Sequence, residues 1–296
     1  MSKDSSEMFA EFENTQAAIE MRLGEYFTEE TKYSILLEAM RYSLVPGGKH
    51  IRAVICVKFC EAAGGKRESA LDAACAIEML HTYSLIHDDL PCMDDDDMRR
   101  GRPANHIKFG EYTATLAGDA LQAAAFDTLL RSRLSPDKIA DMARVLADAA
   151  GPHGICGGQY LDLLGEGKQH TLEELLEINA LKTSALISAS ARIGVIAAGG
   201  SQEQIKAAEE YAQAVGLAFQ ARDDMLDCTA SAEELGKPIG SDKEKNKATF
   251  ASLLSFDECE RRIKEETERA TEALDGKFAD SGFLIWLARM LAERRY

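Results

Sequence analysis

KTSALISASARIGVIAAGG, residues 182–200, decides the fold. It has no proline and no run of alternating β-branched residues. Its Ala, Ser and Gly side chains are small enough to let helix backbones approach closely. Gly199-Gly200 ends it as glycines end helices. Upstream, TLEE at Thr171–Glu174 fits the capping box, in which a hydroxyl and a carboxylate each satisfy an orphan N–H at a helix start. Together they predict a helix over 171–199. The same signs recur along the chain. SQEQ at Ser201–Gln204 opens a helix over 201–228. Ser135-Pro136 opens one over 136–150. Gly64-Gly65 closes one over 51–64. Asp257 adds a further helix-opening signal within 249–274. The remaining predicted helices span 6–24, 31–44, 67–90, 111–133, 153–164 and 281–294. Strand signals are almost absent: there are six prolines and no sustained run of β-branched alternation. The expected architecture is all-α, one domain over residues 1–296 with about ten or more helices.

Composition narrows the class. Hydrophobic residues make up 46% of the 296, enough for a sizeable core, and the formal net charge of −16 argues against nucleic acid or an anionic membrane as partner. No uncharged apolar run approaches the ~20 residues of a membrane span, and the polar start MSKDSSEMFAEFENTQ lacks the apolar stretch of a signal peptide. The seven cysteines (56, 60, 75, 92, 156, 228 and 259) show no CxxC pair. They read as small core residues in a reducing compartment, so a cytoplasmic location is expected.

Two stretches resist this helical reading, 91–110 and 229–248, and each directly follows an aspartate cluster. HDDLPCMDDDDMRRGRP, residues 87–103, puts six aspartates within ten residues and three arginines immediately after. Carboxylates at a helix C-terminus meet the negative end of the macrodipole, costing about 0.3–1 kcal/mol each. Like charges three or four residues apart add a few tenths. A chain that breaks both rules together is marking a site. The missing ingredient is a hard cation that takes oxygen ligands. Pro91 disturbs the last helical turn, and that loosening would bring Asp94 round towards Asp88.

The second cluster is FQARDDMLD, residues 219–227. Gln220, Asp223, Asp224 and Asp227 fall at i, i+3, i+4 and i+7, one face of an α-helix. Neither cluster has the mid-loop Gly and closing Glu of an EF-hand. Mg²⁺ keeps several waters and bridges carboxylates to substrate phosphates. Nearby cations suit such a substrate: Arg99 and Arg100, and Lys49 and Arg52 in PGGKHIR, where arginine matches phosphate by its fork geometry.

These residues resemble a known family. HTYSLIHDDLPCMDDDDMRRGRPANH and FQARDDMLD are similar to the first and second aspartate-rich motifs of trans-isoprenyl diphosphate synthases, most of all bacterial farnesyl diphosphate synthases. Family features also appear at GGKHIR, LKTSALI, GDALQAAAFDTL and GKPIGSDKEKNKATF, and the motifs keep the family's order along the chain. The resemblance runs from about residue 32 to 295 and leaves the first thirty residues without a match. It departs from the pattern at His50, where arginine is common, at Ala53, where proline is common, and at Ser184, where Gly or Ala is usual.

The resemblance implies an all-α isoprenoid synthase fold around a central active-site cavity, and a homodimer. It implies a prenyltransferase that condenses isopentenyl diphosphate with an allylic diphosphate, releasing diphosphate through an allylic cation. Three Mg²⁺ ions are the family's usual means, with Mn²⁺ able to substitute. Asp88 and Asp94 would bind two ions, with Asp89 supporting them. Asp223 would bind the third, with Asp227 holding it less directly. Arg99, Lys182 and Lys237 would grip the allylic diphosphate. Lys49, Arg52, His81 and Arg100 would grip isopentenyl diphosphate. Thr183 and Gln220 would turn oxygens towards the cation, and residues 229–248 would close over the diphosphates. A class I terpene cyclase also uses an aspartate-rich helix, but it would pair it with an Asn/Ser/Glu-type second motif and would lack GGKHIR.

The resemblance also implies that the residues just before the first motif form the floor under the growing chain and set its length. Tyr83 and Ser84 stand fifth and fourth before Asp88. An aromatic ring there favours a fifteen-carbon product, farnesyl diphosphate, with geranylgeranyl (or geranyl) diphosphate as the alternative.

Overall fold

The computed structural model describes residues 5–45, 48–168, 170–229 and 249–294. The helices are α1 Ser5–Gly24, α2 Ser34–Leu44, α3 Ile51–Ala62, α4 Arg67–Asp88, α5 Asn105–Phe109, α6 Glu111–Leu130, α7 Pro136–Ala150, α8 Ile155–Leu164, α9 Leu172–Asn179, α10 Ala185–Ala198, α11 Gln202–Thr229, α12 Phe250–Leu253, α13 Phe256–Ala273 and α14 Gly282–Glu293. Among the described residues the extended structure is one two-residue antiparallel hairpin, β1 Met98–Arg99 with β2 Arg102–Pro103. The expected all-α architecture is what the chain adopts.

The centre is α10, apolar on every side and buried nearly throughout between α3, α4, α7 and α11. Its small residues do what their size allows. A Cβ on Gly194 would lie 2.1 Å from the Cys56 carbonyl oxygen, so the α3 and α10 backbones touch there and a side chain would force them apart. The segment Leu172–Ala198 is long and apolar enough to cross a bilayer, but 67% of its apolar window is buried inside the protein.

The expected capping boxes at Thr171 and Ser201 form: Glu174 N–H donates to Thr171 Oγ1 at 3.2 Å, and Gln204 N–H to Ser201 Oγ at 3.2 Å. Gly64 and Gly199 take the left-handed conformation that closes α3 and α10 (φ 86° and 81°).

Three expectations are corrected. The helix predicted over 171–199 is helical without a break over 172–198 but is not a regular α-helix throughout: it widens into a π-helical turn, Ala180–Ser184, between α9 and α10. The helix predicted over 249–274 is two helices. Leu254 is extended, and Ser255, not Asp257, caps α13 through a capping box with Glu258. The predicted loop 91–110 contains the hairpin and the short α5.

Helix α1, which lies within the thirty residues without a match, packs one face into the core. Ile19 and Leu23 of α1 are fully buried, each worth on the order of 1.5–3 kcal/mol. Lys58 of α3 reaches Glu11 at 2.7 Å, and Gln16 donates from Nε2 to the Gly48 carbonyl at 3.0 Å. Helix α1 therefore braces the segment that carries Lys49.

Candidate active site

Asp88 is the last residue of α4. Beyond it Pro91 breaks the helix, and the chain turns back so that the Asp94 N–H donates to the Asp88 carbonyl at 2.8 Å. Asp95 takes a left-handed backbone (φ 53°) to complete the turn. The loosened last turn thus sets Asp94 beside Asp88, a meeting that regular helix spacing would not give. Burial pushes the Asp88 carboxyl up to about 6; the Lys182 charge opposes the rise and the Asp94 charge adds to it.

Asp89 is only 2% exposed, and its carboxylate is committed to Arg99. It accepts from Arg99 Nε at 2.8 Å and from Nη2 as well. Burial raises the Asp89 carboxyl and the Arg99 contact draws it back. The hairpin supplies this arginine: β1 leads the chain back over the end of α4, and Arg100, at φ 52°, makes the turn into β2. Asp89 therefore holds the guanidinium expected to grip a diphosphate.

On α11 the expected four-residue face is divided. Asp224 is 4% exposed and belongs to the framework: it accepts from Gln220 Nε2 at 2.9 Å and from the Phe250 N–H at 2.7 Å, tying α11 to α12. Gln220 Oε1 accepts from Thr183 Oγ1 at 3.1 Å, joining α11 to the π turn. Asp227 is buried two turns along from Gln220. Asp223 is half-buried and ion-paired with Arg294, whose guanidinium lies 3.8 Å from the Phe219 ring centroid and donates to the Phe219 carbonyl at 3.3 Å. Arg294 lies in no motif, and the sequence gives no signal for it.

The π turn carries Lys182 and Thr183. Widened turns of this kind are rare and concentrate at functional sites. Lys182 Nζ is ion-paired with Asp162 of α8 at 2.6 Å. A Cβ on Gly158 would lie 2.3 Å from the Lys182 amide nitrogen, so α8 presses directly on this turn. Asp162 was missed by the motif reading; the signal available was the glycine pair inside a helix, which marks close packing.

A second group of cations converges from three segments. Arg52, in the first turn of α3, places Nη1 3.3 Å from His81 Nε2 on α4. Burial holds His81 well below the ordinary histidine range and the charges of Arg52 and Arg100 push it further, so the ring is neutral and accepts from Arg52 at Nε2. The Arg100 guanidinium packs on the Gly48 backbone, where a Cβ would come within 3.0 Å of its central carbon. Lys49 follows Gly48, and Asp223 and Arg294 both act on its charge. Lys237 and the rest of the expected closing segment, 230–248, lie outside the described residues.

Among the described residues no three His, Cys, Asp or Glu side chains converge on one point. A divalent ion here would have one or two protein carboxylates and would complete its shell with water or phosphate oxygens, the donor pattern that suits Mg²⁺. Asp88 with Asp94 at the end of α4, and Asp223 on α11, are carboxylates that fit that role, and at Asp223 a guanidinium already stands as the cation.

Below Asp88 the ring of Tyr83 is buried, 5.7 Å edge-on to His87, with its hydroxyl 3.6 Å from Cys156 Sγ on α8. The Ser84 hydroxyl is turned back onto the His81 carbonyl at 2.9 Å. A groove of about 380 Å³ borders the other side of the π turn, lined by Ser184, Ser188, Arg192 and Glu209, and contains none of the predicted residues.

The polyprenyl synthetase family model matches residues 33–281. The chain is 41% identical over 280 residues to a farnesyl diphosphate synthase of Geobacillus stearothermophilus, covering 94% of each chain. It is 43% identical over 266 residues to the heterodimeric geranylgeranyl pyrophosphate synthase large subunit 1 of Arabidopsis thaliana, covering 87% of this chain and 72% of that one. Its fold superposes on the geranyltransferase of Helicobacter pylori, solved with magnesium and isoprenyl diphosphate, with a TM-score of 0.86 at 31% identity, covering 98% and 97% of the two chains. With aspartate clusters and converging cations on this framework, the chain belongs to the polyprenyl synthetase family, the trans-prenyltransferases that act on isoprenyl diphosphates.

Proposed function

We propose that the protein condenses isopentenyl diphosphate with dimethylallyl or geranyl diphosphate to make farnesyl diphosphate. The observation that carries this reading is two groups of basic side chains, which we read as two anion anchors. One gathers Arg99 and Lys182 around Asp88 and Asp94; the other gathers Lys49, Arg52, His81 and Arg100. A cyclase needs one diphosphate site, and a condensation needs two.

When bound, Mg²⁺ supplies positive charge to the leaving diphosphate. Asp88, Asp94 and Asp223, with Asp227 behind them, are the residues that would hold it. Arg99, kept in place by Asp89, and Lys182, kept in place by Asp162, orient the allylic diphosphate. Its C–O bond breaks and the bonding pair leaves with diphosphate. The π electrons of isopentenyl diphosphate then form the new C–C bond to the allylic carbon, and a proton is lost from the adduct to restore the double bond. Thr183 and Gln220, joined at 3.1 Å, turn oxygen lone pairs towards the positive carbon. Lys237 belongs with the allylic anchor by its place in GKPIG.

Fifteen carbons is the favoured length because Tyr83 fills the space below Asp88 and Ser84 lies beside it. The 43% identity to a geranylgeranyl diphosphate synthase subunit favours a twenty-carbon product as the second reading. The working unit is a homodimer: α6 presents Tyr112 (78% exposed) and Leu116 to solvent, and α8 presents Tyr160 and Leu164. None of the seven cysteines is in a disulfide, which suits a reducing cytoplasm, although only Cys56, Cys60, Cys75 and Cys259 are core residues and Cys92, Cys156 and Cys228 are exposed. Incubation with isopentenyl diphosphate, each allylic primer and Mg²⁺, followed by chromatography of the dephosphorylated products, tests the reading. Fifteen-carbon alcohol supports it, twenty-carbon alcohol selects the second reading, and no elongation overturns both.

A further inference from the structure

Beneath the second cation group lies a pair of buried titratable side chains to which the reaction assigns no part. His50 is the residue before α3, in a left-handed backbone (φ 45°) that a side chain of its size adopts only when its surroundings hold it there. Its imidazole is buried and donates from Nδ1 to Glu78 Oε2 at 2.9 Å. On its other side, Nε2 lies 3.8 Å from Glu20 of α1. Glu78 is 2% exposed, in the middle of α4 and one turn before His81.

The Glu78 carboxylate performs two tasks. Oε2 fixes the His50 ring, and Oε1 accepts the Ala53 N–H at 3.3 Å. Ala53 is the third residue of α3, where the backbone N–H groups have no partner within the helix. A carboxylate from a neighbouring helix thus caps α3, in the position its dipole favours. Burial alone would push the Glu78 carboxyl up, but the hydrogen bond from His50 and the charges of His50, Arg52 and Arg100 carry it below its ordinary value. Both contacts act on the segment that presents the anchors. Lys49 precedes His50 directly, and Arg52 lies between His50 and Ala53.

We propose that His50 and Glu78 form a buried positioning pair that sets the backbone carrying Lys49 and Arg52, and through it the affinity for the isopentenyl diphosphate head group. This rests on the assignment of that anchor under the proposed function. Neither residue touches substrate. A purely electrostatic role makes the opposite prediction. Removing one negative charge from beneath an anion site would tighten binding, whereas removing a hydrogen-bonded brace loosens it.

The decisive variant is Glu78→Gln, which keeps the side-chain shape and removes the charge-assisted bonds. Its KM for isopentenyl diphosphate should rise about tenfold, while KM for the allylic substrate and kcat at saturation stay within about twofold. His50→Gln, which keeps an N–H to offer Glu78, should show a smaller rise than His50→Leu. Calorimetric titration of inorganic diphosphate into the metal-free protein reads the same anchor without turnover, and should weaken in the same order. A lower KM for isopentenyl diphosphate in Glu78→Gln, an unchanged one, or equal rises for both substrates would overturn the proposal. If Glu78→Gln does not fold, the two His50 variants decide alone, and equal KM values in them overturn it. A wild-type protein that does not consume isopentenyl diphosphate would instead overturn the proposed function.

Discussion

Asp88→Asn should make the metal-free protein more stable and nearly inactive. The folded protein holds the Asp88 carboxyl up at about 6, against an ordinary value of 3.8, because burial outweighs the help of Lys182 and Arg99. A carboxyl whose folded value is raised opposes folding wherever it is ionised in both states. The penalty is complete above about pH 6, fades as pH falls towards 3.8, and is absent below. A rise of about two pH units corresponds to roughly 3 kcal/mol at pH 7.5 and to about half of that at pH 5. At ~2.1 cal/mol/K per residue, a chain of this length unfolds with about 0.6 kcal/mol/K, so the gain in Tm is about 5 °C at pH 7.5. Asparagine keeps the shape and carries no charge. The assay is differential scanning calorimetry of wild type and Asp88→Asn in EDTA at pH 7.5 and pH 5, with kcat measured in Mg²⁺. The stabilisation should halve on going to pH 5, and kcat should fall at least about a hundredfold. A lower Tm for the variant at pH 7.5, or a gain that does not shrink at pH 5, would refute the reasoning.

Three further outcomes are expected. Activity should vanish with excess EDTA and return with Mg²⁺ or Mn²⁺; full turnover in chelator would remove the metal from the mechanism. Arg52→Ala should chiefly raise KM for isopentenyl diphosphate, whereas Lys182→Ala should lower kcat and disturb the allylic substrate. Steady-state kinetics with each substrate varied in turn should separate them, and identical defects would dissolve the two-anchor assignment. Tyr83→Ala should shift the main product from fifteen carbons to twenty or more without changing the Mg²⁺ requirement. The helix rises ~1.5 Å per residue, so the ring lies roughly 7 Å below Asp88, on the order of one isoprene unit or two. An unchanged product distribution in a folded, active variant would place the floor elsewhere.

Much of this arrangement is legible in the chain because it depends on local rules. Capping boxes open α9 and α11, closing glycines end α3 and α10, and Pro91 accounts for the turn that joins Asp94 to Asp88. The face formed by Gln220, Asp223, Asp224 and Asp227 follows from the helical period. What periodicity cannot say is which of those carboxylates the fold claims for itself. Asp224 goes to the Phe250 amide because α12 ends up beside α11, a contact 26 positions apart in sequence. The π turn at Ala180–Ser184 is likewise invisible locally, since nothing in ALKTS disfavours a regular helix. Its setting is tertiary: Gly158 lets α8 press on Lys182, and Asp162 takes the lysine's charge. Arg294 and Gln16 reach the site from the two ends of the described chain, and short polar stretches carry no mark of such reach.

The distribution of counter-charges explains why stability is given up at one residue in particular. Asp89 is held by Arg99, Asp162 by Lys182, Asp223 by Arg294 and Glu78 by His50. Asp89, Asp162 and Asp223 each have a protein cation in direct contact that offsets the cost of burial, although at Asp89 burial still leaves the carboxyl raised. Asp88 differs. Lys182 and Arg99 act on it only through space, each already in contact with another carboxylate, and Asp94 and Asp89 oppose them. The raised carboxyl is the result. A side-chain cation against Asp88 would remove the strain and would also fill the place where a diphosphate-bound ion has to sit. At Asp223 the chain accepts such a cation, supplied by Arg294 just beyond α14, whose guanidinium is also held on the Phe219 ring. The two carboxylates therefore differ: Asp88 stays costly and ready, and Asp223 is covered by a protein cation that an incoming ion would have to displace.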